Sequence, residues 1–136
     1  MGTAPKRQLS PNAVSRVIVD CAMRVHSALG PGLLESAYEA CLAHKLRKAG
    51  LRVETQVALP VVYDGIRLDV GYRIDILVED AVIVEIKACD AITAVHQAQL
   101  MSYLKLSGKT LGLLINFHVA HLKNGIKRIV NGTGWE

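Results

Sequence analysis

Residues 72–88 read YRIDILVEDAVIVEIKA, and the way this stretch folds back on itself decides the fold. Tyr72, Ile74, Ile76 and Val78 recur at the two-residue period of a strand, and Val82 to Ala88 forms a second, mostly apolar strand. Successive side chains of a strand point to opposite faces, so Glu85 and Lys87 share one face and Ile86 takes the other. Asp75 lies among apolar neighbours, where a charge is costly unless it is paired or bound to a cation. The turn length decides whether these groups meet. A loop of Glu79, Asp80 and Ala81 sets Val78 against Val82 and Asp75 against Glu85, with both carboxylates on one side. A loop one residue shorter sets Asp75 against Val84 and turns Glu85 away. Opposed like charges repel, and a divalent cation between them reverses that repulsion, so a metal site here predicts the longer loop or an equivalent bulge.

Upstream, the period of two starts at Arg52, with Val53, Thr55, Val57, Leu59, Val61 and Tyr63 on one side. Pro60 puts that strand near an edge or bulge, and Asp64-Gly65 is a hairpin turn into the alternation of Ile66, Leu68 and Val70. Two helices precede it. Ser10-Pro11 is a helix start, the run from Val14 to Leu29 has three-and-four spacing, and Gly30-Pro31-Gly32 ends it. The second helix is expected from about Leu33 to Ala49, with Gly50 as its cap. Downstream, helical spacing returns from Thr93 to Leu106, and Gly108 ends it. Leu111 to Phe117 is a continuously apolar run, as expected of a strand covered on both faces. Asn124-Gly125 is a turn signal before a closing strand, Ile126 to Val130. The predicted class is α/β: a mixed central β-sheet flanked by helices, in the order α-α-β-β-β-α-β(-β). One domain is expected over residues 10–130, with 1–9 and 131–136 as loose termini.

The length of 136 residues suits one core and not two, and the formal charge of +4 is compatible with an anionic partner such as nucleic acid. A solvated helix face and a charged edge strand explain the same lysines and arginines. No apolar run is long enough for a membrane span and the N-terminus lacks a signal-peptide layout, so a cytoplasmic location is expected. Cys21, Cys41 and Cys89 form no C-x-x-C pair and are read as reduced, buried thiols.

Further polar groups fall at helical spacing. Glu35, Tyr38 and Glu39 share a face of the second helix, with Glu35 in the first turn, where the helix dipole favours an anion. His96, Gln99 and Tyr103 share a face of the third. His118 and His121 lack a third ligand for zinc. No phosphate-binding loop, dinucleotide fingerprint, zinc-protease helix or nucleophile elbow is present.

Gly32-Leu33-Leu34-Glu35-Ser36-Ala37-Tyr38, within LGPGLLESAYEACL, resembles the signature of the bacterial GxxExxY proteins of the PD-(D/E)XK nuclease superfamily. YRIDILVEDAVIVEIKA resembles the catalytic hairpin of that family, and HQAQLMSYLKLSGKTLGLLINF its closing helix and strand; the resemblance spans roughly residues 12–130. It implies a restriction-endonuclease-like core and a nuclease that uses Mg²⁺ or Mn²⁺ to hydrolyse nucleic acid, with DNA favoured and RNA left open. Ile74 stands where the superfamily name would put proline. By resemblance, Asp75, Glu85 and the carbonyl of Ile86 would hold the metal, and Glu35 would be the accessory acid. Lys87 would position or polarise the attacking water, and Gln99 and Tyr103 match the Q-x-x-x-Y element of exonuclease-like members. Relatives with an iron–sulfur cluster bind it on four cysteines, so three imply none. Two other readings stay open: a binding module that grips nucleic acid or protein without cutting, and a structural subunit whose metal only braces the hairpin. The short edge strand leaves a homodimer open as well.

Overall fold

The computed structural model of the chain describes residues 8–136. Helix α1, Pro11–Leu29, starts as the sequence predicts: Ser10 Oγ accepts from the Ala13 N–H at 3.1 Å, and the helix stops at Gly30, whose φ is 66°. Helix α2, Glu35–Lys48, begins two residues after the predicted Leu33. Between them the chain is folded back by Tyr38, whose hydroxyl donates to the Gly30 carbonyl and accepts from the Leu33 N–H at 3.2 Å. Its ring stacks on Phe117 with centroids 4.4 Å apart.

Five strands make the main sheet: β1, Val53–Ala58; β4, Arg73–Val78; β5, Val82–Lys87; β6, Leu111–Asn116; and β7, Ile126–Val130. Their order is β1-β4-β5-β6-β7, with β5 and β6 parallel and the other neighbours antiparallel. Strands β2, Val61–Tyr63, and β3, Ile66–Leu68, form a separate hairpin. Helix α3, Ala94–Ser107, makes the crossover between β5 and β6, and a 3₁₀ turn, Leu122–Gly125, precedes β7.

The fold is the expected mixed α/β core. Ile76, Val78, Val82, Val84, Ile86 and the inward residues of β6 pack under α1 and α2. Leu77, Ile83 and Leu114 pack under α3 through Leu100, Tyr103 and Leu104. At about 25 cal/mol per Å² of apolar surface removed from water, these two layers are the main favourable contribution to folding.

Three expectations are corrected. The two long strands predicted over 53–63 and 66–78 are each cut in two. Pro60 brings no N–H to the ladder and Gly71 takes a φ of 86°, so only the Leu59 N–H reaches across, to the Tyr72 carbonyl at 2.9 Å. In the C-terminal tail the Asn12 N–H donates to the Trp135 carbonyl at 2.7 Å, and Trp135 lies under the Arg128 guanidinium at 5.0 Å. Cys41 is exposed, on the outer side of α2, while Cys21 is buried; all three cysteines are free thiols. Asn124-Gly125 closes the 3₁₀ turn instead of a tight hairpin, and a Cβ at Gly125 would collide with the Asn116 carbonyl. Residues 1–7 of the expected loose N-terminus lie outside the described residues.

Candidate active site

Strands β4 and β5 pair as Val78↔Val82, Leu77↔Ile83 and Ile76↔Val84, which is the register of the Glu79–Ala81 loop. One step further, where Asp75 comes opposite Glu85, the backbone ladder gives way to side chains. The Asp75 N–H donates to Glu85 Oε1 at 3.2 Å, and the Ile86 N–H donates to Asp75 Oδ2 at 2.8 Å.

The neighbouring strand is irregular at the same level. Thr55 pairs with Ile76 and Val57 with Ile74, while Gln56 between them takes a φ of 53°. That left-handed conformation costs a residue with a Cβ roughly 1–2 kcal/mol. It aims the Gln56 amide at the site, where Nε2 donates to Glu39 Oε1 at 2.7 Å and to Asp75 Oδ1 at 3.4 Å. On β4 the alternation of faces breaks too: Ile76 packs under α1 and α2, but Ile74 joins Leu77 under α3. Asp75 is thus carried by a kinked strand, reached from one side by β5 and from the other by α2 through Gln56.

Glu85 is only 5% exposed. Burial, and after it the Asp75 carboxylate beside it, push its carboxyl up to about 9, against the weaker pull of Lys87. Burial also raises Glu39, with Asp75 and Glu35 adding to the shift and the Gln56 hydrogen bond opposing it. Tyr103 is raised by burial first and then by Glu85, Tyr72 and Asp75. Among the described residues no Lys, Arg or His forms a salt bridge with Asp75 or Glu85.

The predicted residues are brought together unequally. Asp75, Glu85 and Ile86 are in direct contact, and Lys87 follows Glu85 on the same strand face, half-buried. Tyr103 comes up under the carboxylates from α3, and the exposed Gln99 donates to its hydroxyl at 3.4 Å. Glu35 stands apart, with Oε1 accepting from the Ala88 N–H at 3.4 Å. Among the described residues no three His, Cys, Asp or Glu side chains form a group able to hold an ion. The acidic groups at the centre are therefore two, and the helix residue in line with them through Gln56 is Glu39, one turn beyond Glu35. His96 is used as a cap, its Nδ1 accepting from the Thr93 N–H.

The pair fits a divalent cation. Two hard oxygen donors on adjacent strands, one of them buried and with no cationic partner, are the ligand type such an ion selects. The sequence reading missed Gln56. In VETQV it reads as the solvent side of a strand, and no local signal marks a left-handed residue there.

A sequence model of the PD-(D/E)XK nuclease superfamily matches residues 12–129. No curated protein and no solved structure matches the chain. The matched span takes in both α1 and α2, the kinked hairpin and the α3–β6 crossover that surround Asp75 and Glu85, and the chain belongs to the PD-(D/E)XK nuclease superfamily.

Proposed function

We propose that this chain is a divalent-metal-dependent nuclease that hydrolyses phosphodiester bonds, DNA in preference to RNA, at the centre formed by Asp75, Glu85 and Lys87. The observation that carries the reading is the carboxylate pair where β4 and β5 separate, Glu85 buried and Asp75 half-buried, with no salt bridge to either among the described residues. Asp75, Glu85 and the Ile86 carbonyl would hold Mg²⁺ or Mn²⁺. Such an ion supplies Lewis-acid polarisation of a phosphoryl oxygen and acidifies water.

The chain's own groups do the rest. Asp75 is oriented by two donors, the Ile86 N–H and the Gln56 amide, so one oxygen is anchored to β5 and the other faces Gln56 on β1. Burial and the Asp75 carboxylate favour a proton on Glu85 at neutral pH in the metal-free protein, and Glu85 would give up that proton to hold a cation. Lys87 brings a positive charge to the same strand face, where negative charge grows on the phosphoryl oxygens in the transition state. Glu35 at the N-terminus of α2 would act as the accessory acid from the end of β5, where it meets the Ala88 N–H, with Glu39 held to Asp75 through Gln56, while Gln99 and Tyr103 would place the substrate from the α3 side. The spacing of Gly32, Glu35 and Tyr38 supports reading the chain as a GxxExxY protein within the superfamily, one that would act in the cytoplasm. No helix among the described residues is long and apolar enough to cross a membrane.

The test is incubation of plasmid, single-stranded DNA, duplex DNA and RNA with Mn²⁺, Mg²⁺ or EDTA, comparing the wild type with Asp75→Ala and Lys87→Ala. Metal-dependent cutting lost in both variants supports the nuclease. Binding with every substrate left intact overturns it in favour of a non-cleaving nucleic-acid-binding module on a nuclease fold.

A further inference from the structure

Every residue from 62 to 73 is exposed, and six of the twelve are large and apolar: Val62, Tyr63, Ile66, Leu68, Val70 and Tyr72. They are not scattered. The register Val61↔Leu68 and Tyr63↔Ile66 puts four apolar side chains on one face of the β2–β3 hairpin, and Val62 with its partner Arg67 on the other. Tyr63 is 73% exposed and Ile66 58%. The hairpin's strands pack chiefly on each other, so no layer among the described residues covers the apolar face. A two-stranded hairpin with three residues in each strand is marginal in water on its own, and an apolar sheet face needs a second layer.

We infer that the apolar face of the β2–β3 hairpin is the contact between two copies of this chain, packed face to face about a two-fold axis. Two observations favour a second copy over nucleic acid. The hairpin segment carries Asp64 and Asp69 against Arg67 and Arg73, so its charge cancels and the formal +4 of the chain lies elsewhere. A phosphate backbone finds no cation on the apolar face, whereas a two-fold contact places one patch on itself and needs that patch to be free of net charge. The area is also suitable. The five apolar side chains from Tyr63 to Tyr72 expose on the order of several hundred Å² per copy, the size of patch that on a monomer is often functional, against the ~800 Å² per partner of a standard interface. Tyr72 links this face to the rest of the molecule, its ring 5.9 Å from that of Tyr103. The dimer forms whether or not the neighbouring centre cleaves.

The experiment is sedimentation equilibrium of the full chain from about 1 to 100 µM, with hydrogen exchange at the two ends of that range, on the wild type and on Tyr63→Lys/Ile66→Lys. The wild type is expected to move from one to two copies with rising concentration, with new protection confined to residues 61–72. The double variant should keep its circular dichroism and melting temperature while its dimer dissociation constant rises at least about thirtyfold, as for loss of a central aromatic anchor. A wild type that stays monomeric throughout, or a variant that dimerises as well as the wild type, overturns the proposal. So does a monomeric wild type whose binding to duplex DNA is lost in the variant, which assigns the face to nucleic acid.

Discussion

Asp75 and Glu85 each satisfy a backbone N–H of the opposite strand: the Asp75 N–H donates to Glu85 Oε1 and the Ile86 N–H to Asp75 Oδ2. The carboxylates stand in for the ladder's carbonyls. The strands can therefore separate at this level without leaving buried donors unpaired, and the opening between them is lined by acidic oxygens.

Stability of the metal-free protein should fall as pH rises from about 5 to 9. The carboxyl of Glu85 is raised to about 9 in the fold and returns to its ordinary range on unfolding. Below its unfolded value both states are protonated and the stability is fully present. Above it the unfolded chain ionises first, and stability declines until the folded group ionises as well. Thermal unfolding in EDTA across this range should show the decline, and Glu85→Gln should flatten it. An equal slope in both proteins would remove Glu85 as its source.

Cation affinity should rise over the same interval. Binding must displace the Glu85 proton, so each unit of pH below about 9 weakens Mn²⁺ binding by up to about tenfold. Calorimetry in buffers of different ionisation enthalpy reads the proton release directly. Binding without release at pH 7 would mean that Glu85 is already ionised.

Lys87→Ala should lose nearly all cleavage, about a hundredfold or more, while melting temperature and Mn²⁺ affinity stay near those of the wild type. Lys87 is half-buried and forms no salt bridge among the described residues, so its removal opens no unpaired charge. Cleavage at the wild-type rate would take Lys87 out of the mechanism.

Gln56→Gly should separate stability from activity. Glycine accepts the φ of 53° without the Cβ penalty, which favours the fold, but the amide that joins Glu39 to Asp75 is gone. The expected result is a melting temperature equal to or above the wild type with cleavage reduced at least about tenfold. Reduced stability with full cleavage would make Gln56 a structural residue only.

Tyr38→Phe should destabilise the protein by about 1–3 kcal/mol, seen as a melting temperature lower by several degrees. It leaves the Gly30 carbonyl and the Leu33 N–H without their partner while keeping the stack on Phe117. An unchanged melting temperature would show that water replaces the hydroxyl there.

What the sequence determined by itself is what depends on neighbours along the chain. Ser10-Pro11 and Gly30 bounded the first helix, Gly108 the last, and the unbroken apolar run through Leu111 marked the strand covered on both faces. The two-residue period also placed Glu85 and Lys87 on one face, and a metal site required the turn register that β4 and β5 adopt. Tertiary structure alone decided which acid of α2 joins Asp75. Glu35 and Glu39 lie one turn apart on the same helix face, and it is Glu39 that the amide of the left-handed Gln56 reaches. It likewise decided that the alternation running through Tyr63 and Ile66 continues beyond the core onto a hairpin that none of the described residues cover, because a period of two records that one face is apolar and not what covers it.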